Sequence, residues 1–541
     1  MQNSDIVYKV KLLGNLLELH DENPFKVRAL QNAYSTLKKV VDPIHEMSAG
    51  TLASLPAVGK NIALIIKEIG ESGTSKELNE LLDKTPEGIV EMFNIKGVGP
   101  KKIAQFWHIM GLMTVGELVY YCTENRLKDA KGFGEKSQKD ILEKALLYLS
   151  SKSKWLYARL EPLLKDFESA LEDSELVQFK LTGQALRKEQ IVEEVHYVVE
   201  ADEWPVYIDS FEIEDQDDDH MIGLYKDQLK VKLSLCIEDV MKEAFLESFG
   251  TDVNVEELFD LSKIPSNTSD ESSIFEKLGI NYFPPEVRWN SKLCKIPGDS
   301  LIKDGDIQGV IHCHTTYSDG IHTLKEMCAY AMENGYSYIA ITDHSQSAFY
   351  ANGLIAERVE QQSREIDQLR VKFPGLTIFK SIESDILNNG SLDYEEDILK
   401  QFDLVIGSVH SVLNMEEDRA TTRLITAIEN PYMHILGHMT GRLLLARKGY
   451  PLNYDKIIDA CVANNVCIEL NANPQRLDMD HKWLRKATDK GVFISINPDA
   501  HSKQGIHDIH YGIIAGRTGG LEKSMVINTL DASGFISKLK K

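Results

Sequence analysis

Metal-binding residue types follow one aliphatic segment after another in the C-terminal half of the chain. His312 and His314 come directly after Val310 and Ile311. If residues 310–314 form a regular extended strand, its period of two points both imidazoles to the same side. The same layout recurs at Ile341-Thr342-Asp343-His344, Ser381-Ile382-Glu383-Ser384-Asp385, Gly407-Ser408-Val409-His410, Leu436-Gly437-His438 and Asn497-Pro498-Asp499-Ala500-His501. Imidazole nitrogens and carboxylate oxygens are ligands for Zn²⁺ and Mn²⁺, so this pattern indicates chemistry that depends on bound metal.

The elements that must position these ligands alternate between strands and helices. Aliphatic runs predict buried parallel strands at Tyr338–Ile341, Thr377–Phe379, Leu404–Ile406, His434–Leu436, Val466–Leu470 and Val492–Ile496. Helical stretches such as Leu324–Asn334 and Glu357–Lys372 separate them. Alternating strands and helices predict a (β/α) barrel or a doubly wound sheet. In a barrel the C-terminal ends of all strands meet at one mouth, so ligands far apart in sequence become neighbours.

The ligand set is too large for a single ion. The candidate ligands are the six histidines of these segments, Glu383, Asp499 and Asp319, whereas one ion takes roughly four to six N and O donors. We therefore infer two or three ions. Metal ions lower the pKa of bound water and neutralise charge on phosphate oxygens, which predicts phosphoester hydrolysis.

These motifs resemble the PHP (polymerase and histidinol phosphatase) domain over about residues 305–541. The resemblance implies a distorted seven-stranded barrel with a trinuclear site and Mn²⁺ or Zn²⁺ as the ions. The implied ligand sets are His312, His314, Glu383 and Asp499 for the first ion, Glu383, His410 and His438 for the second, and Asp319, His344 and His501 for the third.

The candidate catalytic residues are Glu383, Asp499 and Arg442. Arg442 is a candidate for a bidentate clamp on phosphate, with a surface ion pair as the alternative. Asp343 is a candidate for orienting an imidazole, with a capping role as the alternative.

Charge is distributed unevenly along the chain. The net charge is −23, but residues 1–150 carry 19 basic and 19 acidic residues, whereas residues 151–300 carry 16 and 33. Only the first segment is therefore electrostatically suited to DNA.

The seven cysteines form no Cys-x-x-Cys, which is typical of a reducing compartment. No signal-peptide pattern or apolar run of eighteen residues is present, so we expect a soluble, cytoplasmic protein without a membrane partner.

Residues 1–150 are helical in pattern and repeat one type of turn, in which glycines flank an aliphatic or aromatic residue before a helix. The copies are Leu55-Pro56-Ala57-Val58-Gly59-Lys60, Ile95-Lys96-Gly97-Val98-Gly99-Pro100 and Ala130-Lys131-Gly132-Phe133-Gly134-Glu135. This helix-hairpin-helix pattern lets backbone N–H groups approach a phosphate closely without contacting bases. The candidate DNA-binding residues are Gly59, Gly97, Gly99, Lys101, Lys102, Gly132, Gly134 and Lys136.

The whole chain resembles bacterial family X DNA polymerases that carry a C-terminal PHP domain. The family places paired aspartates on a palm strand to hold Mg²⁺, but the best alignment puts Glu194 and His196 there, so we expect polymerase chemistry to be lost. An unrelated α+β middle domain is the alternative. Ile65 stands where some members carry a lyase lysine, and an aliphatic side chain forms no imine.

We therefore predict a multidomain protein with an all-α N-terminal region, an α+β middle domain and an α/β barrel. The predicted bounds are 1–150 for the helical DNA-binding region, 151–290 for a degenerate palm and thumb, 291–308 for a linker and 309–541 for the PHP domain. The resemblance implies metal-dependent hydrolysis at DNA 3′ ends in repair, as a 3′–5′ exonuclease with 3′-phosphatase or abasic-site endonuclease activity as further possibilities. The partner is gapped, nicked or 3′-ended DNA of any sequence. The alternatives are an active gap-filling polymerase with an accessory nuclease and a small-molecule phosphatase of the histidinol-phosphate type.

Overall fold

The chain forms two compact units in a computed structural model that describes residues 2–150, 154–174, 178–201, 204, 207–237, 239–266, 268 and 270–540. The first unit comprises Met1–Thr123 and Lys131–Tyr148, and the second comprises Glu124–Ala130 and Leu149–Lys541. The short segment Glu124–Ala130 thus packs with the second unit although both of its neighbours along the chain belong to the first. Among the residues described, no helix has the length and apolar character needed to cross a membrane.

The first unit is built from helices whose apolar faces form its core. In α4, Ile62, Ile66 and Ile69 recur at helical spacing and are buried, as expected for an amphipathic helix. The helices are α1 Asn3–Leu19, α2 Pro24–Leu37, α3 Ala49–Ala53, α4 Lys60–Ser72, α5 Lys76–Leu82, α6 Glu87–Glu91, α7 Pro100–Ala104, α8 Val115–Thr123 and α9 Glu135–Ser150. Each predicted glycine turn precedes one of them, namely α4, α7 and α9.

The middle domain, within residues 154–290, is a mixed sheet with helices. Its elements are β1 Trp155–Leu156, α10 Tyr157–Glu172, β2 Gln178–Thr182, α11 Gly183–Leu186, β3 Ile191–Val192, β4 Val195–Glu200, β5 Phe211–Gln216, β6 His220–Tyr225, β7 Leu229–Cys236, α12 Val240–Glu247 and α13 Glu271–Leu278. The main sheet has the order β2-β4-β7-β6-β5. Phe167 of α10 packs against Tyr197 and Tyr225 of this sheet and closes the core.

The barrel, within residues 309–540, alternates strands with helices. Its elements are β8 Gly309–Cys313, α14 Leu324–Glu333, β9 Tyr338–Ile341, α15 Ala356–Lys372, β10 Thr377–Asp385, α16 Glu396–Leu399, β11 Leu404–Ser408, α17 Glu417–Ile428, β12 Ile435–Leu436, α18 Tyr454–Asn464, β13 Cys467–Asn471, α19 His481–Asp489, β14 Ile494–Asn497, α20 Ile509–Thr518 and α21 Ala532–Leu539.

Strands β8 to β14 form one seven-stranded parallel sheet in sequence order. The two edges approach each other just beyond the ends of β8 and β14, where His314 N donates to Ala500 O at 2.8 Å and Ala500 N donates to His312 O at 3.0 Å. These bonds nearly close the sheet into a barrel. The predicted architecture of helical region, mixed middle domain and α/β barrel is confirmed.

The local geometry at the first histidine pair differs from the prediction. His312 has a φ of 64°, in the left-handed region, and the pairing of β8 with β9 shifts between Val310 and Cys313. A strand is present at Gly309–Cys313, but the condition of regular extension over residues 310–314 does not hold at His312. An extra residue bulges out of β8, and a β-bulge is a common way to redirect side chains next to a functional site. The bulge brings the His312 and His314 rings to 5.3 Å between centroids.

Candidate functional site

The nine side chains predicted to bind metal converge at the barrel mouth. Ligand atoms within 4.8 Å of one another form overlapping groups, which are His314, Asp319, His344 and His501; His312, His438 and Asp499; His312, His314 and Glu383; and His344, Glu383 and His410. Each of the nine side chains lies at a strand end or in the loop that follows it, as the barrel geometry requires. The grouping differs from the implied ligand sets in that His314 joins Asp319, His344 and His501, and His438 lies with His312 and Asp499.

Glu383, within β10, is the common member of the cluster. Its Oε1 lies 3.2 Å from His312 Nε2, 3.2 Å from His410 Nε2 and 3.1 Å from His438 Nε2. Its Oε2 lies 2.9 Å from His344 Nδ1. A carboxylate with both oxygens facing different imidazoles has the geometry to serve two ions at once.

Electrostatics keeps the carboxylates charged. Burial raises the pKa of the Glu383 carboxyl, but the imidazoles of His410, His312 and His344 together outweigh burial and hold that pKa well below its usual range. Asp499 and Asp319 show the same balance of burial against neighbouring histidines, and their pKa values are also held well below the usual range. Ionised carboxylates are therefore available as anionic donors.

Burial lowers the pKa of the His314 imidazole, whereas it raises the pKa of a carboxyl group, because in both cases it disfavours the charged form. Burial, followed by repulsion from His501 and His344, lowers the pKa of His314 to about 3. A neutral imidazole keeps a lone pair, which a metal ligand needs.

Several buried polar atoms that face the cluster have no hydrogen-bond partner. They are His312 Nε2, His314 Nδ1, Asp319 Oδ1, both ring nitrogens of His344, Glu383 Oε2 and His501 Nε2. Buried polar groups are normally satisfied, so such a concentration of unpaired donors and acceptors needs an explanation. Divalent metal ions fit both the unpaired atoms and the N and O donor set.

Two buried carboxylates that the sequence did not single out as functional orient ligand histidines. Glu469 Oε2 lies 2.6 Å from His312 Nδ1, and Asp385 Oδ1 lies 2.5 Å from His410 Nδ1. A carboxylate on one ring nitrogen fixes the tautomer and directs the other nitrogen to the metal. The available signal was their position, since Glu469 in β13 and Asp385 at the end of β10 also stand near the C-terminal ends of strands.

Arg442, the candidate phosphate clamp, donates to Asp480 Oδ2 at 2.6 Å, to Gln190 Oε1 at 3.0 Å and to the carbonyl oxygens of Arg476 and Leu477. These contacts use four of its five N–H groups and include the ion pair with Asp480, while the phosphate clamp stays a prediction. Arg476 lies beside the cluster, with Nε 3.6 Å from Asp499 Oδ2.

Asp343 has the capping role rather than the imidazole-orienting one. Its carboxylate accepts from Thr315 N at 2.7 Å, Thr315 Oγ1 at 2.7 Å, Ser318 N at 3.1 Å and Gln362 Nε2 at 2.6 Å. It therefore organises the loop that carries Asp319.

The glycine turns of the first unit leave their backbone accessible. Ala57, Gly97 and Gly132 share a left-handed φ, of 59°, 83° and 92° respectively, so Ala57 adopts the conformation that glycine adopts in the other copies. Gly59 and Gly99 precede α4 and α7 without a side-chain cap. A Cβ added at Gly59, Gly99 or Gly134 would meet no atom within 4 Å. The space beside these helix starts is open to a ligand. Lys101 and Lys136 are exposed beside these turns, and Lys102 is half-buried with its Nζ 3.2 Å from Gly97 O.

The positions aligned with the polymerase aspartates do not form a metal site. His196 in β4 is buried, with Nε2 2.8 Å from Ser234 Oγ, while Glu194 is exposed. Burial, followed by repulsion from Lys232 on the paired strand β7, lowers the pKa of His196 to about 4. Within the described part of the middle domain, no group of three close His, Cys, Asp or Glu ligands occurs.

Comparison with known proteins identifies two family models that match parts of the chain. A helix-hairpin-helix domain model matches residues 1–75, and a PHP domain model matches residues 311–473. The DNA polymerase/3′-5′ exonuclease PolX of Bacillus subtilis (strain 168) is 31% identical over 576 aligned positions, covering 100% of both chains. A probable phosphatase of Thermoanaerobacter sp. (strain X514) is 29% identical over 229 residues, which are 40% of this chain and 89% of that protein. A crystal structure of a histidinol phosphate phosphatase from Lactococcus lactis matches at 18% identity and a TM-score of 0.30, over 38% of this chain and 92% of that one, and this likeness supports no statement about function.

Proposed function

This chain belongs to the DNA polymerase/3′-5′ exonuclease PolX family, and from that premise we propose that it is a metal-dependent phosphoesterase that acts on DNA 3′ ends. Its barrel carries the hydrolytic site, and its substrates are the terminal nucleotides or phosphates of gapped or nicked DNA. The observation that carries the proposal is the cluster of nine N and O donors at the barrel mouth, with unpaired buried atoms facing one another.

Each group of residues has a separate task in this mechanism. The nine donors would hold two or three divalent ions, Mn²⁺ or Zn²⁺, which supply an activated water and neutralise phosphate charge when bound. Glu383 links the groups, because its two oxygens face different histidines. Glu469 and Asp385 hold His312 and His410 in the orientation that presents Nε2 to the cluster. Glu383 and Asp499 remain the proposed catalytic residues.

DNA binding is proposed for the helical region. The open space beside Gly59, Gly99 and Gly134 permits backbone N–H groups to approach a phosphate, and Lys101, Lys102 and Lys136 add positive charge. Contacts of this type do not distinguish bases, so binding is independent of sequence. The chain thus joins a DNA-binding region to a hydrolytic barrel, which a small-molecule phosphatase does not need.

Polymerase activity is proposed to be lost. A neutral, buried His196 cannot provide the anionic oxygens that Mg²⁺ prefers. Glu194 is then the one carboxylate of the aligned pair, and it is exposed to solvent. Lys232 places a positive charge next to His196, where two metal ions would be repelled. The middle domain is then a scaffold, with proposed bounds of 151–290.

Incubation with 3′-labelled gapped DNA and Mn²⁺, with and without dNTPs, tests both parts of the proposal. We expect the labelled end to be shortened or dephosphorylated, and dNTPs not to be incorporated. His312→Ala should abolish hydrolysis while the circular dichroism spectrum stays unchanged, and Glu417→Gln, at an exposed position in α17, should act like the wild type. Full activity of His312→Ala would contradict the site assignment, and efficient dNTP incorporation would contradict the loss of polymerase activity.

A further inference from the structure

The segment Glu124–Ala130 follows α8 of the helical unit, yet it is part of the compact unit that contains the barrel. Two of its side chains contact the predicted ligands. Glu124 is buried, with 2% of its surface exposed, and the Arg126 side chain is 11% exposed. No local sequence pattern indicates this contact, because more than 180 residues separate the segment from the first predicted ligand, His312.

Glu124 approaches His501 at Nδ1, the ring nitrogen that barrel carboxylates approach in two other ligand histidines. Its Oε2 lies 2.6 Å from His501 Nδ1, and its Oε1 accepts from Asn473 Nδ2 at 3.3 Å. His501 Nδ1 also lies 3.0 Å from the backbone oxygen of Asp499. With Nδ1 turned to these two oxygens, Nε2 faces the cluster. Glu469 and Asp385 make the equivalent contact with Nδ1 of His312 and His410.

Arg126 holds the carboxylate of a second ligand in the same group. Its Nε and Nη2 each lie 3.1 Å from Asp319 Oδ2, while the guanidinium lies 5.1 Å from the centre of the Tyr350 ring. The other oxygen, Oδ1, has no hydrogen-bond partner and lies 3.3 Å from His501 Nε2. Arg126 thus turns Asp319 so that one oxygen is satisfied and the other faces the remaining donors.

We propose that Glu124 and Arg126 are positioning residues for the ion held by His314, Asp319, His344 and His501. The proposal rests on the proposed hydrolytic function and adds to it that one of the ion sites is completed by residues from outside the barrel sequence. The segment orients two of the four donors of that group, one through a carboxylate on an imidazole and one through a guanidinium on a carboxylate. A barrel without this segment would keep all nine ligands and lose the orientation of two of them.

A role in folding alone is the competing explanation, because a buried carboxylate and a buried arginine that are paired also stabilise packing. The two explanations differ in what they predict for metal binding at constant fold. An orienting partner of a metal ligand typically changes metal affinity by about 10- to 100-fold when it is removed. A contact that only stabilises packing changes the melting temperature and leaves the affinity of the folded protein as it was.

The test is a calorimetric titration of the full-length, metal-stripped protein with Mn²⁺, together with elemental analysis of bound metal after gel filtration. Glu124→Gln and Arg126→Ala are compared with Arg126→Lys, which keeps the charge. Asp129→Asn, at an exposed position of the same segment, is the matched control. Asp385→Asn perturbs His410, which belongs to a different ligand group, and identifies the titration step of another ion. Melting temperatures of the metal-free proteins report folding.

We expect Glu124→Gln and Arg126→Ala to weaken one and the same binding step by about 10- to 100-fold, with Arg126→Lys closer to the wild type and Asp129→Asn unchanged. Asp385→Asn should weaken a different step. Unchanged titrations for both variants would overturn the proposal, as would an equal effect of Asp129→Asn. If Glu124→Gln does not fold, the metal affinities of Arg126→Ala and Arg126→Lys decide whether the segment positions the ion. DNA hydrolysis is measured separately, so a wild type that binds the metal but cleaves no 3′ end contradicts the proposed function alone.

Discussion

Replacing Glu383 with glutamine should remove most of the metal affinity of the barrel while preserving its shape. The two Glu383 oxygens lie 2.9 Å to 3.2 Å from the ring nitrogens of His312, His344, His410 and His438. An ion held among those donors is within about 4 Å of the carboxylate charge, where a pair of unit charges at an effective dielectric constant near 20 interacts by roughly 4 kcal/mol. That energy corresponds to about a thousandfold in affinity for an ion that uses Glu383.

The assay combines Mn²⁺ titration with hydrolysis of 3′-labelled gapped DNA. Glu383→Gln should bind fewer ions at a Mn²⁺ concentration that saturates the wild type, and its hydrolysis rate should fall by at least the same factor. Glu417→Gln removes an exposed carboxylate from α17 and controls for net charge. If Glu383→Gln keeps wild-type metal content and wild-type hydrolysis, Glu383 is not a ligand shared between ions.

Three further predictions concern the other regions. The wild type should incorporate dNTPs into gapped DNA only at trace level, and synthesis comparable with an intact family member would refute the loss of the palm site. The double variant Gly99→Ala/Gly134→Ala should weaken DNA binding and leave hydrolysis of nitrophenyl phosphate unchanged, because an added Cβ meets no protein atom within 4 Å but obstructs a phosphate. Gly50→Ala, in the same unit, is the control. For the wild type, a plot of the logarithm of the DNA-binding constant against the logarithm of salt concentration should have a slope of about −2 to −4, for two to four phosphate contacts. His196 has a folded pKa of about 4, below its unfolded value, so the unfolded chain binds the additional proton and stability is lost as pH falls from about 6.5 to about 4. Urea denaturation should therefore show that lowering the pH to about 4.5 costs the wild type about 2 to 3 kcal/mol more than His196→Asn, and an equal loss in both proteins would contradict this.

The sequence by itself determined the fold class and the set of residues at the barrel mouth. Strand and helix periodicities are local properties, and Tyr338–Ile341 was predicted with the bounds that β9 has in the structure. Parallel strands place their C-terminal ends on one side whatever their exact tilt. For that reason, ligands as distant as His312 and His501 were expected to meet, and the structure brings them into one cluster.

Only the tertiary structure decided how those residues are oriented. The bulge at His312 and the pairing of Arg442 with Asp480 depend on contacts across the barrel, which no local pattern contains. The same is true of Glu469, Asp385 and Glu124, whose carboxylates reach ligand histidines that are 157, 25 and 377 residues away in sequence. Sequence periodicity determines which strand end carries a ligand, but the partner on the other ring nitrogen is determined by which distant segment packs there.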